Sequence, residues 1–427
     1  MKEREAAEYI ESISGRGIVP GLDSIRELCR RLGDPQKALK FVHVAGTNGK
    51  GSVSAYMAEA LKCGGYRVGR YISPVIFDYR ERIQAGGRYI TKEALGRLME
   101  QVKQTCDEMV SEGMPQPTAF EVETALGFLY FKEKNCDIVI LETGMGGLLD
   151  ATNVIDSPLV AVITSVSMDH MKFLGNTLEE IAAQKAGIIK AGCLAVSAEQ
   201  QPEAAKVIAE KAAALGCPLS PVENSQITSV KYGLERQHFS YGGFSGLEIS
   251  LAGKYQIENA ALAVEALKAL GECGFPLSEA KLRQGLKQTV WAGRFTLVGK
   301  KPYFIVDGAH NEDGAKRFAE SVEFYFTNKR IIYIMGVLKD KEYEKMIALT
   351  HTLADQIITV TPPDNPRALP AYELAREVSK VHPKVTAVDS LEEAVEMGRL
   401  LAGREDVIIA FGTLSFAGRL MKIAGRQ

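Results

Sequence analysis

Phe41-Val42-His43-Val44-Ala45-Gly46-Thr47-Asn48-Gly49-Lys50-Gly51-Ser52 is the stretch that decides the fold. The first five residues are a short apolar run with the length and composition of a buried strand. Gly46 to Gly51 form a turn with three glycines, and the run from Ser52 to Cys63 reads as a helix ended by Gly64-Gly65. Strand, glycine turn and helix in that order make a phosphate-binding loop. Backbone N–H groups converge on phosphate oxygens, and the helix N-terminus adds positive potential. Lys50 is placed to reach the terminal phosphates, and Ser52 to bring a hydroxyl to phosphate or Mg²⁺. The strict G-x-x-x-x-G-K-[ST] pattern fails, because residue 44 is Val and Gly51 follows the lysine. The turn is therefore a variant phosphate loop.

Outward from this turn, strand and helix patterns alternate. Tyr66–Ile72, Asp137–Glu142 and Leu159–Thr164 read as buried strands, and Glu3–Ile13, Leu22–Leu32 and Leu178–Ala186 as helices. Such alternation predicts a mainly parallel sheet covered by helices. Between about 220 and 251 the pattern changes to short strands with Gly turns, and a helix over Ile257–Leu270 follows. Beyond Trp291-Ala292-Gly293-Arg294 the alternation restarts, with strands at Tyr303–Val306, Arg330–Met335, Gln356–Thr361 and Asp406–Phe411. The expected fold class is α/β: a first unit over 1–296, with a mainly parallel sheet around the phosphate loop, and a second α/β unit over 297–427.

The 427 residues suit two or three domains. Hydrophobic residues make up 46% and charged residues 24%, the balance of an ordinary globular protein. With 51 basic and 53 acidic residues the net charge is −2. A near-neutral chain carries no global field for nucleic acid or an anionic membrane, so neither is an expected partner. The seven cysteines show no metal-binding spacing. With no signal peptide and no apolar run of membrane-spanning length, the expected setting is the reducing cytoplasm.

Further candidates lie at strand ends. Glu142 closes an apolar strand and precedes Thr143-Gly144-Met145-Gly146-Gly147, where a ligand can approach closely; it is a candidate Mg²⁺ ligand. Asp169-His170 follows Leu159–Thr164, and Asp307-Gly308-Ala309-His310-Asn311 follows the first strand of the second unit. Open α/β sheets bind ligands at such carboxyl ends. Taken alone, Lys185 reads as a surface lysine.

As a set, these segments resemble folylpolyglutamate synthase / dihydrofolate synthase, within the Mur ligase superfamily. The resemblance also rests on Pro20-Gly21-Leu22 through Leu32-Gly33-Asp34-Pro35-Gln36, Ser73-Pro74 with Arg80-Glu81-Arg82-Ile83, and Thr118-Ala119-Phe120-Glu121. It rests too on Leu149-Asp150-Ala151-Thr152-Asn153, Ile181 through Ile188, and Gly293-Arg294-Phe295. It implies an ATP-dependent ligase that joins L-glutamate to a folate or to dihydropteroate through an acyl phosphate. It also implies an N-terminal phosphate-loop ATPase domain over 1–296 and a C-terminal Rossmann-like domain over 297–427, with the active site between them; ATP and Mg²⁺ are the implied cofactors, and the implied state is monomeric. Thr47, Asn48, Gly49, Lys50, Gly51 and Ser52 would hold the phosphates, and Asn259, Arg294 and Asp307 would contact ATP. Ser73, Glu142, His170 and a carbamylated Lys185 would hold Mg²⁺. Lys50, Glu142, His170, Lys185 and His310 would be catalytic, and Arg82, Asp150, His310 and Thr413 would face the acid and amino-acid substrates. Four positions depart from the usual family pattern: Val75 where His is common, Leu148 where Arg is common, Glu312 where Pro is common, and Gly412-Thr413-Leu414-Ser415 in place of G-S-L-Y. A ligase for a cell-wall nucleotide acid and a nucleotide-binding regulator without ligation are the competing readings. The Lys50-Gly51-Ser52 turn and Ser73-Pro74 weigh against the first. The intact Glu142, His170 and Lys185 weigh against the second.

Overall fold

The computed structural model describes residues 1–15, 17 and 19–425. Its chain divides into two compact units. The first takes in residues 1–228, 241–244 and 259–288, and the second takes in 229–240, 245–258 and 289–427.

The first unit is built on eight strands: β1 (Phe41–Ala45), β2 (Val68–Tyr71), β3 (Ile83–Ala85), β4 (Arg88–Tyr89), β5 (Ile138–Glu142), β6 (Val160–Ile163), β7 (Leu194–Ser197) and β8 (Leu219–Pro221). Their order in the sheet is β4-β3-β2-β5-β1-β6-β7-β8. The pairs from β2 to β8 are parallel, and only β2–β3 and β3–β4 are antiparallel. All five residues of β1 are buried, as are all five of β5 and all four of β6. Continuous apolar strands of this kind belong inside a parallel sheet covered on both faces.

The chain leaves β1 toward β2 on one side, and β6 later joins β1 on the other. β1 therefore ends at a topological switch point, where a crevice opens outside the strand ends. Because the neighbouring strands run parallel, the residues after β1, β2, β5 and β6 emerge at one edge. Thr47–Ser52, Ser73, Glu142 and His170 are thus gathered from 120 residues of sequence by strand direction alone.

The helix after the glycine turn spans Lys50–Cys63, two residues earlier than its apolar pattern shows. Gly49 turns the chain at φ +91°, and helical geometry begins at once, so Lys50 and Gly51 lie in the first turn. Two helices the sequence reading does not assign, Lys92–Ser111 and Ala119–Glu133, carry much of the first core. Thr118 caps the second of these: its Oγ accepts from Glu121 N, and the Glu121 carboxylate reaches back to Thr118 N at 2.7 Å.

β9 (Thr228–Lys231), β10 (Gln237–Tyr241) and β11 (Phe244–Ile249) form the separate small sheet expected between 220 and 251. The helix that follows is longer than its periodic core and covers Tyr255–Glu272. The second unit then holds β12 (Thr296–Lys300), β13 (Tyr303–Val306), β14 (Ile331–Met335), β15 (Gln356–Val360), β16 (Val385–Val388) and β17 (Val407–Phe411). Their order is β12-β13-β17-β14-β15-β16, parallel except for the β12–β13 pair. β17 returns between β13 and β14, so the loops after β13 and β17 are neighbours at the carboxyl edge. Phe318, Tyr333 and Phe411 pack together at the centre of this unit's core, with the Phe318 and Phe411 rings stacked at 4.5 Å.

Helix Glu279–Gln288 lies on helix Lys50–Cys63 in the first unit, and Gly285 makes the crossing possible. A Cβ there would fall 2.2 Å from Ala60 Cα and 2.6 Å from Ala60 N, both backbone atoms that cannot swing aside. Gly285→Ala should cost about 2 kcal/mol through overpacking. Urea unfolding measures it; a midpoint unchanged from the native chain would refute this account of the crossing.

Candidate nucleotide and acid site

The glycine turn is locked to the loop after β6. Thr47 N donates to Ser165 O at 2.7 Å, and Thr47 Oγ donates to Ser167 O while accepting from Ser167 N, each at 3.0 Å. Gly46 sits at φ +150°, and a Cβ on it would lie 1.8 Å from Thr164 Oγ. A Cβ on Gly49 would lie 2.5 Å from the side-chain oxygen of Asn259, which places Asn259 against the turn. Lys50 Nζ donates to Gly46 O at 2.9 Å and Thr47 O at 3.2 Å, so its ammonium caps the loop it belongs to. Ser52 is buried at the start of the helix.

Glu142 ends β5 beside Val44 of β1 and is buried. Arg70, half-buried on β2, is charge-coupled to it. Burial lowers the Arg70 guanidinium to about 10, and Glu142 resists that shift. The sequence signal for Arg70 was available: a lone arginine inside the strand Val68-Gly69-Arg70-Tyr71.

The loop after Glu142 is held by Asp150. Its carboxylate accepts from Met145 N at 2.9 Å, Thr152 N at 3.0 Å and Thr152 Oγ at 2.5 Å, with a further bond from Gly144 N. Asp150 is expected to face substrate, yet its oxygens first serve this loop. Farther on, Leu148 N donates to Gln184 O at 2.7 Å, which ties the loop to the end of helix Leu178–Ala186.

That helix end carries Lys185, and its sequence neighbourhood is misleading. The side chain is buried, not at the surface. Burial and the nearby Lys50 pull its pKa from 10.5 down to about 7, while Asp169 and Asp150 favour its charged form. Glycine turn, β5 loop, β6 loop and helix end thus converge electrostatically on one amine. His170 begins a short helical turn at φ +52° and is partly exposed; its backbone N donates to Asp169 Oδ1 at 2.8 Å.

Arg82 lies in a second buried cluster, facing Glu123 at 3.3 Å and the Phe120 ring at 5.9 Å. Desolvation raises the Glu123 carboxyl pKa, and Arg82 holds against that rise. Glu123 was not singled out from sequence, because a single acid in an apolar helix has no motif. Ser73 stands half-buried just past the end of β2.

Among the described residues no three His, Cys, Asp or Glu side chains cluster as a ready metal cage. The donor set at this edge is a hydroxyl, a carboxylate and an imidazole. That set suits Mg²⁺, which takes one or two protein oxygens and fills its shell from phosphate and water.

In the second unit, Asp307 follows β13 and is buried. Its oxygens accept from Phe295 N at 2.7 Å, Tyr255 Oη at 2.9 Å and Ala309 N at 2.7 Å. Burial raises its pKa, and Arg294 opposes the rise. Phe295 is held at φ +47°, an unusual setting for a bulky residue, with its ring wholly buried. A Cβ on Gly308 would lie 2.3 Å from both Arg294 Nη1 and Leu414 Cδ2, which brings the turns at 294, 308 and 414 together. His310 Nδ1 lies 2.8 Å from Gly308 O and must donate to it. Thr413 is buried, and its Oγ accepts from Ser415 N at 3.2 Å.

A phosphate-type turn at a switch point, followed by a second parallel sheet with its own polar strand-end loops, defines a class of two-module ligases. The chain matches the Mur ligase middle domain over residues 44–267 and the Mur ligase, glutamate ligase domain over residues 293–414. The dihydrofolate synthase/folylpolyglutamate synthase of Bacillus subtilis (strain 168) is 37% identical over 98% of each chain. The structure of Mycobacterium tuberculosis folylpolyglutamate synthase complexed with ADP and AMPPCP superposes with a TM-score of 0.90 at 28% identity, covering 100% of this chain and 99% of that one. Escherichia coli FolC in complex with DHPP and ADP gives 0.87 at 29%, covering 99% and 97%. The chain belongs to the folylpolyglutamate synthase/dihydrofolate synthase family of ATP-dependent ligases, whose function is glutamate ligation to folates.

The Lys185 geometry makes a pH prediction. With a pKa near 7 folded and 10.5 unfolded, the unfolded chain binds the extra proton between those values, so this group makes stability rise with pH across that window. Lys185→Met removes the dependence. In CO₂-free buffer the variant should exceed the native chain in stability most at pH 6, and the gap should narrow by pH 9. A gap constant with pH in chemical unfolding would contradict the buried amine.

Proposed function

We propose that this chain adds L-glutamate to the carboxylate of a reduced folate, with polyglutamylation of tetrahydrofolate as its main activity. Dihydropteroate is the second acid it accepts. The bifunctional name of the Bacillus subtilis relative and the DHPP complex of the Escherichia coli relative favour that addition. The observation that carries the reading is Lys185: a buried amine near neutral pKa, charge-coupled to the lysine of the phosphate turn. An ordinary lysine is almost wholly protonated at pH 7, whereas a pKa of about 7 leaves half the amine neutral and able to take up CO₂ as a carbamate.

In this reading the backbone of Thr47, Asn48, Gly49, Gly51 and Ser52 cradles the ATP phosphates, and Lys50 leaves its loop carbonyls for them. Asn259 beside Gly49, and Arg294 and Asp307 of the second unit, orient the rest of the nucleotide. Ser73, Glu142, His170 and carbamylated Lys185 would hold Mg²⁺, which supplies charge neutralisation between ATP and the acid substrate. Arg82 and Asp150 receive the folate acid, and His310 and Thr413 the amino acid. The folate carboxylate takes the γ-phosphoryl group and ADP leaves; the glutamate nitrogen attacks the acyl carbon, and phosphate leaves with one proton lost from the amine. His310, whose Nδ1 donates to Gly308 O, would take up that proton at its other ring nitrogen.

We propose a working boundary between the modules near residue 296, where the first strand of the second α/β sheet begins, three residues into the second matched domain. The protein would act as a cytoplasmic monomer on small molecules, without nucleic-acid or membrane partners. Its net charge of −2 and its seven free cysteines fit that setting. Among the described residues no helix is long and apolar enough to cross a membrane.

ADP release should require glutamate together with tetrahydrofolate or dihydropteroate, and Lys50→Ala should abolish it in a folded protein. No stimulation by either acid sinks the reading. A ¹³C-bicarbonate sample should show a carbamate resonance that Lys185→Met removes; a spectrum identical in both proteins rules out the modification.

A further inference from the structure

His43, in the middle of β1, is wholly buried and takes no part in the chemistry above. Its Nε2 lies 2.8 Å from Thr152 Oγ, which in turn lies 2.5 Å from Asp150 Oδ1. The hydrogens along this line can be assigned. Asp150 accepts from the backbone N–H groups of Met145, Thr152 and Gly144, and against the rise in pKa that burial causes these three donors hold the carboxylate as an acceptor. The Thr152 hydroxyl must therefore donate to Asp150, and it turns a lone pair toward His43. Nε2 carries the ring hydrogen and donates to it. Nδ1 is then bare, and it has no hydrogen-bond partner among the described residues. A neutral ring is consistent with burial, which drives the imidazole down to about 3.

We propose that His43 and Thr152 are positioning residues for the folate acid: a one-way line of donors that aims the Asp150 carboxylate and so sets the Gly144–Gly147 loop. The inference rests on the folate-ligase reading for its substrate. Strand pairing fixes the backbone through Glu142, since His43 pairs with Leu141 and Val44 with Glu142. Beyond Glu142 the chain runs through Gly144, Gly146 and Gly147, which have no side chains to anchor it. Asp150 supplies the anchor, and His43 through Thr152 supplies the angle of Asp150. The same carboxylate favours the charged form of Lys185, so its aim also sets part of the field at that amine. A buried histidine that merely fills space would need its volume and not its Nε2 hydrogen.

The test separates these two roles. Thr152→Val keeps shape and loses the hydroxyl; Thr152→Ser keeps the hydroxyl. His43→Gln keeps an N–H near the Nε2 position, and His43→Met does not. Dihydropteroate binding is measured by calorimetry without nucleotide or Mg²⁺, together with the KM for ATP. Thr152→Val should weaken dihydropteroate binding about tenfold, as a buried acceptor losing its donor does, with the KM for ATP within about twofold, and Thr152→Ser should bind as the native chain does. His43→Gln should bind more tightly than His43→Met. Native affinity in Thr152→Val and His43→Met overturns the proposal, as does equal loss in Thr152→Ser and Thr152→Val. If the native chain itself binds neither dihydropteroate nor tetrahydrofolate, the folate reading has failed. Amide hydrogen exchange at Gly144 and Met145 then decides the positioning claim alone: faster in Thr152→Val than in Thr152→Ser supports it, and equal rates overturn it.

Discussion

A Cβ on residue 46 would stand 1.8 Å from Thr164 Oγ, and the first unit depends on there being none. β1 and β6 are hydrogen-bonded neighbours up to Ala45 and Ile163. If the chain continued as a strand, the turn would never form. Gly46 breaks out at φ +150°, a backbone angle open to glycine, and lets the loop lie flat on the β6 exit, where Thr47 bonds Ser165 and Ser167. The turn's shape is thereby borrowed from a segment 120 residues later. Lys50, Gly51 and Ser52 are then aimed by the helix they begin.

Around that turn the first unit accepts an unusual load of buried charge. Glu142, Asp150 and Lys185 are all buried, with Arg70 half-buried beside them, and burial of any of these groups alone would favour its neutral form. At Asp150 burial raises the pKa, and four donors, three of them from backbone, oppose that rise. Among the described residues no comparable set of acceptors gathers on the Lys185 amine, and Lys50 lies close enough to oppose its charge. Its charge is the one the structure gives up, and an amine that has given up its proton is a nucleophile. The same desolvation that would destabilise an idle lysine is what leaves this amine partly neutral near pH 7.

Much of this was written in the sequence, and the remainder has a physical reason for its silence. Strands with five buried residues announce themselves by composition, so β1, β5, β14 and β17 were legible to within a residue or two. The glycine turn was legible because it needs residues that no other structure requires. Lys185 was not, because Gln184-Lys185-Ala186-Gly187 resembles any amphipathic helix end; only the β5 loop folding onto Gln184 O covers it. Asp150 and Asp307 were legible as polar groups near the site but not as loop anchors, since their partners are backbone N–H groups, which every sequence has. The helices Lys92–Ser111 and Ala119–Glu133 carry caps at Thr91 and Thr118 that a search for N-cap residues would have found.

The departures from the family pattern fall where the backbone does the holding. Leu148 stands where Arg is common, yet its N–H still donates to Gln184 O, so the loop keeps its course while its exposed side chain changes character. Glu312 stands where Pro is common, directly after Asn311, whose side chain caps the helix by accepting from Gly314 N. Proline suits that first helical position because its missing N–H is not needed there; glutamate suits it because a negative charge opposes the helix dipole, and it reaches Lys345 at 2.8 Å as well. Both substitutions preserve the loop beneath and alter only what it presents. Leu148 and Glu312 thus change the side chains that the two loops display, while the backbone bond at Leu148 and the Asn311 cap remain in place.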